Sequence, residues 1–292
     1  VLNSIILMLM LVFVSASVFS FFGFIVAQFV MGVPLLSDPK LIDNVSDPEL
    51  VPVLRLMQVL QAIGMMVLPS LLYLKIIGRL DARGIFSRLN RQLVMLSVAV
   101  FLVSFPFINF LAEWNSSIEL PTWLGNWMAE KEETIGELQQ RFLAMPTVWH
   151  LLFNLFMMAV LPALGEELVF RGVLQRGLQN WIGNVHLSVW IAAFLFSAVH
   201  MQFLGFVPRM LMGVALGYLF VWSGNLIYPI IAHFVNNATA IALTYGIQHD
   251  TVKPELESVG SGETMMALFS MLFALMLLFL FKQRAELPDG GK

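Results

Sequence analysis

Eight apolar runs divide this chain, most of them near the roughly 20 residues that a helix needs to cross a bilayer. Such runs allow few folds, because inside lipid every backbone N–H and C=O must find its partner within the protein. They extend over Val1 to Leu36, Leu54 to Ile77, Gln92 to Ala112, Val148 to about Leu178, Leu187 to Leu204, Arg209 to Trp222, Leu226 to Gly246 and Met265 to Phe281. The reading is an all-α polytopic membrane protein with about eight transmembrane helices. Hydrophobic residues fill 59% of the 292 positions and charged ones only 12%, against about a quarter charged in a soluble domain. Residues 1–292 are therefore expected to form a single integral-membrane domain, with its chemistry-bearing core at 148–246. The first run has no basic segment before it and exceeds the apolar core of a signal peptide, so it reads as a retained span.

Charge orients the helices. Lys75, Arg79, Arg83, Arg88 and Arg91 bracket one turn, Arg171 and Arg176 precede another, and Lys282, Arg284 and Lys292 follow the last run. The positive-inside rule places these segments, and both termini, on the cytoplasmic side. The longest segment expected outside, Glu113 to Thr147, holds Ile135, Leu138 and Phe142 at helical spacing. That pattern fits either a helix lying on the bilayer or a solvated connector. A net charge of −3 offers nothing to neutralise a phosphate backbone, so no nucleic-acid partner is expected. The absence of cysteine removes disulfides, Cys-ligated zinc, iron–sulfur clusters and a thiol nucleophile. Gly213 and Gly217 form a G-x-x-x-G pair, read as a site of close helix approach.

An ionisable side chain inside a span is costly unless paired or hydrated, so such residues are functional candidates. They gather in the second half: Glu166, Glu167 and Arg171 in the fourth span, His200 in the fifth, and His233 with Asn236 and Asn237 in the seventh. Glu167 and Arg171 lie four apart on one helix face, while Glu166 points roughly 100° away. Glu167 thus reads as the ion-pair partner of Arg171. Glu166 is left as the carboxylate free to take a proton from water. His200 lies 17 residues after Gly183 and Glu166 17 before it. A hairpin folded at Asn180 to Val185 then brings both to one depth, roughly 20 Å from the turn at 1.5 Å per residue. Phe196, one turn before His200, shares its face and is placed to wall the site against water.

His233 and Asn237 are also four apart, so an imidazole and a carboxamide face the same way. Two neutral donors side by side suit a developing oxyanion, and helix-to-helix hydrogen bonding is the plainer reading of either alone. Asn236 is the fallback if the register shifts. His150, His186 and His249 sit at span ends or in loops and are assigned no chemistry.

Taken in order, Glu166-Glu167-Leu168-Val169-Phe170-Arg171, Phe196-x-x-x-His200 and His233-x-x-x-Asn237 resemble the motif set of the CAAX-protease and bacteriocin-processing family, also called Abi, relatives of the Ras-converting CAAX endopeptidase. The resemblance implies an eight-helix intramembrane endopeptidase, with the active site formed by the fourth, fifth and seventh helices. By motif, Glu166 and His200 activate water, His233 and Asn237 stabilise the oxyanion, and Glu167, Arg171 and Phe196 support them. The implied partners are the lipid bilayer and a membrane-associated peptide or protein, CAAX-like or prenylated in some members. The implied location is a bacterial inner membrane.

Three other readings, one enzymatic and two not, compete. Glu166, His200 and His233 match the two-His, one-carboxylate ligand set of catalytic zinc, but H-E-x-x-H is missing. If Glu166 bound the metal, the base would have to be another acid, and Glu167 is committed to Arg171; a reaction without a metal cofactor is favoured. A proton-coupled transporter would use the same groups in a file across the membrane. A non-catalytic immunity or scaffold protein would keep its cellular role without Glu166.

Overall fold

The computed structural model describes residues 2–43, 47–77 and 89–286. Arg79, Arg83, Arg88 and Lys292 of the basic clusters lie outside the described residues. The described chain is helical throughout, without strands. In chain order the helices are α1 (Leu2–Phe29), α2 (Pro48–Ile76), α3 (Arg91–Ser116), α4 (Thr122–Phe142), α5 (Val148–Ile182), α6 (Val185–Ala198), α7 (Phe206–Ser223), α8 (Ile227–Gln248) and α9 (Thr264–Glu286). All but α4 and α6 are long and apolar enough to cross a membrane, which makes seven among the described residues. The expected fifth span is realised as the shorter apolar α6 of 14 residues. It stops early because the chain turns away: Met201 adopts a left-handed φ of 55°, and the His200 N–H closes back on Ser197 O.

Prolines shape the two helices that meet behind the site. In α5 a π-helical segment, Leu155–Val160, stops just ahead of Pro162, and in α2 another, Ala62–Val67, stops just ahead of Pro69. Proline has no N–H for the carbonyl four residues back, so the ladder must widen or leave that carbonyl free. The two widened helices pack closely, since a Cβ on Gly165 would come within 2.9 Å of Met66 Cβ. A second π segment in α5, Leu168–Gln175, has no proline to account for it.

The hairpin between α5 and α6 falls where the sequence puts it. Gly183 takes the left-handed conformation (φ 74°) that ends a helix without Cβ strain. Asn184 then caps α6, its side chain accepting from the Leu187 N–H. Against this hairpin lies α7, and Gly213 and Gly217 are what let it approach. A Cβ at Gly213 would stand 3.1 Å from Ala193 Cβ; one at Gly217 would stand 2.9 Å from both Gln175 Oε1 and Val189 Cγ1. The bare backbone also exposes two carbonyls: Arg171 Nη2 donates to Gly213 O (2.8 Å) and Gln175 Nε2 to Gly217 O (3.2 Å).

The segment 113–147 is largely helical, as α4. Its Phe142 is buried in a cluster with Leu50, Leu54 and Met157, and Leu138 packs beside it. Arg55 of α2 donates from Nη2 to Phe142 O at the end of α4 (2.9 Å), a cation on the negative end of a helix dipole. The other flank of α4 rests on the turn after His200. Trp127 and Phe203 are 5.3 Å apart at their ring centroids, and Leu204 N–H donates to Glu132 Oε1 (3.1 Å).

Enlarging the close-approach glycines should overpack this interface. Gly213→Leu and Gly217→Leu are each expected to lose about 1–3 kcal/mol of stability, read as a lower midpoint of thermal unfolding in detergent. Gly125→Leu, at a position with nothing within 4 Å of an added Cβ, should leave the midpoint in place.

Candidate active site

One carboxylate organises the polar interior. Glu167 is fully buried, and its Oε1 lies 2.9 Å from Arg171 Nη1 and 2.9 Å from His233 Nδ1. The expected ion pair is present, and it has a second partner that helical spacing alone does not reveal. Arg171, itself buried, continues through Nη2 to Gly213 O and lies with Cζ 4.8 Å over the Phe196 ring. That face-on contact suits a guanidinium. Phe196 also meets Phe170, His200 and His233 edge-on, at centroid separations of 5.2, 5.0 and 5.9 Å. It therefore packs against the guanidinium on its face and against both imidazoles at its edge.

Glu166 points elsewhere, as its helical position requires. Its Oε2 lies 3.8 Å from His200 Nε2 and 3.7 Å from His233 Nε2, too far for a direct hydrogen bond, and it has no hydrogen-bond partner although it is buried. Separations of this size are those a bridging water closes.

Each imidazole is fixed by its other nitrogen. A carbonyl can only accept, so His200 carries its proton on Nδ1 and donates it to Phe196 O (2.6 Å). That carbonyl is left over at the end of α6, where the chain turns out of the helix. His233 donates Nδ1–H to the Glu167 carboxylate in the same way. Both rings thus turn Nε2 toward Glu166. This alters the expected part of His233: as a neutral ring it has no second N–H to give an oxyanion, and it becomes a donor at Nε2 only when doubly protonated.

Asn237 sits one turn beyond His233 on α8, and its Nδ2 donates to Met158 O (3.2 Å) while its Oδ1 accepts from Asn236 Nδ2 (3.1 Å). Met158 lies within the π segment, four residues ahead of Pro162, which has no N–H to offer it. The sequence holds the signal in Pro162 and Asn237 together, but only the fold shows that they meet. One amide N–H of Asn237 remains for other use.

Among the described residues, then, Glu166, His200 and His233 converge, Glu167, Arg171 and Phe196 brace them, and Asn237 braces α8 against α5. The other histidines have local partners: Thr147 for His150, Tyr218 for His186 and Tyr245 O for His249. As metal donors, Glu166, His200 and His233 stand slightly wide. Zinc bonds of about 2.0–2.1 Å set tetrahedral ligand atoms about 3.3 Å apart. No described group of three His, Cys, Asp or Glu is arranged to hold a metal ion.

The fold and this cluster define the class: an all-helical, multi-pass membrane protein enclosing carboxylates and imidazoles among its helices. Residues 148–239, which hold every one of these groups, match the family described as "Type II CAAX prenyl endopeptidase Rce1-like". The chain is also similar to the uncharacterized protein YpbD of Bacillus subtilis (strain 168), 30% identical over 107 residues, covering 35% of this chain and 50% of that protein. The chain thus spans about half the length of the curated relative it matches. No solved structure matches.

The double role of Glu167 has a measurable consequence. Glu167→Gln leaves Arg171 as a buried charge without its partner, which costs about 3–5 kcal/mol, and should show as low yield and a lowered unfolding midpoint. Glu167→Gln combined with Arg171→Met should recover part of that stability. A midpoint for Glu167→Gln equal to that of the unaltered protein would show that the buried pair carries no stability.

Proposed function

We propose that this protein is an intramembrane endopeptidase that hydrolyses a peptide bond of a membrane-associated substrate with water activated by Glu166 and His200. The observation that carries the reading is the unpartnered Glu166 Oε2 faced by two imidazole Nε2 atoms at 3.7 and 3.8 Å. A water held there donates one hydrogen to the carboxylate and the other to His200 Nε2. Its lone pair is then aimed at an incoming carbonyl carbon. As the new C–O bond forms, Glu166 takes the water's proton. The carbonyl becomes an oxyanion facing His233, which acts doubly protonated with Nδ1–H on Glu167 and Nε2–H toward the charge. The remaining N–H of Asn237 is the second donor. Glu166 then gives its proton to the leaving nitrogen as the C–N bond breaks. Substrates of a CAAX-like kind, prenylated or not, belong to this reading, as do a bacterial inner membrane and both termini on the cytoplasmic side.

Purified protein in detergent with apolar reporter peptides tests it. Glu166→Gln and His200→Ala should each reduce turnover by about 10²- to 10⁴-fold, the usual value of a general base, with the unfolding midpoint retained. Turnover within threefold of the unaltered protein for either variant would sink the water-activating pair. His233→Ala and Asn237→Ala should lower kcat by about 10²- to 10³-fold, the scale of losing one oxyanion donor, with KM little changed. If they raise KM at unchanged kcat, they hold the substrate in its ground state instead.

A zinc-dependent reaction is the second reading, favoured by the same convergence of two Nε2 atoms on one carboxylate oxygen. Metal analysis separates the two. One equivalent of zinc in active protein, lost together with activity in His233→Ala, selects the metalloenzyme; full activity after exhaustive chelation selects the glutamate mechanism.

A further inference from the structure

The chemistry above leaves one nearby cation unused. Arg209 stands on the first turn of α7, half-buried, in the stretch of chain that leads away from His200. Its Nη1 donates to Gln202 O (3.1 Å) and its Nη2 to Gln202 Oε1 (2.8 Å), which ties the guanidinium to the residue two places after His200. A guanidinium carries five N–H groups, so these two bonds leave most of its donors available.

Space for it is made by Gly205. An added Cβ there would come within 3.2 Å of Arg209 Nη2, while the backbone of Gly205, at φ −104°, would accept other residues. What glycine gives here is room beside the guanidinium rather than backbone freedom. The turn beneath is rigid: Asn115 Nδ2 donates to Phe203 O and Leu204 O, Asn115 Oδ1 accepts from Val207 N–H, and Ser197 Oγ donates to Phe206 O.

Among the described residues no carboxylate forms an ion pair with Arg209. Two lie within electrostatic reach, Glu166 in the site and Glu132 on α4. Neither closes on it. Glu132 Oε1 holds the Leu204 N–H, and its Oε2 is buried without a hydrogen-bond partner. A half-buried arginine held in place beside the reacting groups, with no anion on it, is arranged to receive one. The planar fork is matched to a carboxylate.

We propose that Arg209 binds a carboxylate of the substrate and so sets which peptides are held beside Glu166 and His200. This rests on the peptidase reading. It makes Arg209 a specificity-determining residue, acting on affinity rather than on bond breaking. The carboxylate has two sources, the substrate's own C-terminus or an Asp or Glu side chain near the scissile bond.

The test is direct binding of fluorescent apolar peptides to the purified full chain, with cleavage of the same peptides scored separately. One pair differs only as C-terminal acid and amide, and a second pair, both amidated, differs as internal Asp and Asn. We expect the carboxylate member of one pair to bind at least tenfold more tightly, which identifies the source. Arg209→Gln should bring that ratio to about one, and Arg209→Lys should keep part of it. Glu132→Gln should leave the preference standing. Equal affinities within both pairs in the unaltered protein, or a preference that survives Arg209→Gln, would overturn the proposal. Because the first comparison needs no variant, a failure of Arg209→Gln to fold does not protect the idea. A carboxylate preference without any cleavage would leave Arg209 in its role and remove the peptidase reading instead.

Discussion

The site depends on the Glu167 carboxylate accepting from Arg171 and His233 through one oxygen. A buried arginine is tolerable only with its charge answered, and Glu167 answers it at Nη1 while Gly213 O accepts from Nη2. The same carboxylate decides which nitrogen of His233 carries the proton. Stability and chemical readiness are therefore coupled at this residue. The helix that holds the cation also aims the imidazole, and neither can be altered alone.

Around that carboxylate the backbone supplies what side chains could not. Pro162 withholds an N–H from the ladder around Met158, and Asn237 donates to Met158 O from α8. Gly213 and Gly217 withhold side chains, and their carbonyls become acceptors for Arg171 and Gln175. The early end of α6 leaves Phe196 O for His200. In all three places a departure from regular helix, or a missing side chain, creates a polar partner in an apolar setting. These are the terms on which irregular backbone is tolerated at membrane depth, where unpaired polar groups cost most.

Much of this was legible before any coordinates. Apolar length located each helical span, because the requirement for internal hydrogen bonding leaves helix as the local solution, though some ends differ by six or seven residues and the fifth is a shorter helix. The depth match of Glu166 and His200 across Gly183 followed from rise per residue alone, and their 3.8 Å approach agrees with it. Spacing of four separated Glu167 from Glu166 and gave it Arg171. Other features were not readable. Nothing local marks that His233, 66 positions from Glu167, shares its carboxylate, since that contact depends on how α8 packs against α5. The π segments were also missed, and with them the partner of Asn237, because a 3.6-residue period assumes the regular ladder that proline interrupts. The tautomers of the two histidines were beyond reach for the same reason: each is set by a partner on its Nδ1, and periodicity does not describe partners.

Charge gives the last step. With neutral imidazoles the interior holds Glu166 and Glu167 as anions and Arg171 as a cation, an excess of one negative charge in a setting that does not solvate it. Arg209, the cation on the first turn of α7, is hydrogen-bonded to Gln202 and forms no ion pair with Glu166. A direct ion pair would have occupied Glu166 Oε2, the oxygen that is left without a hydrogen-bond partner. The two carboxylates are thus held differently: Arg171, at contact, fixes Glu167, whereas no cation touches Glu166, which suits the proposal that Glu166 is the one that changes its proton. His233 lies between the two carboxylates, Nδ1 at 2.9 Å from Glu167 and Nε2 at 3.7 Å from Glu166, so in the proposed reaction a doubly protonated ring is answered by Glu167 on one side while its other N–H is left for the oxyanion once Glu166 has taken the water's proton.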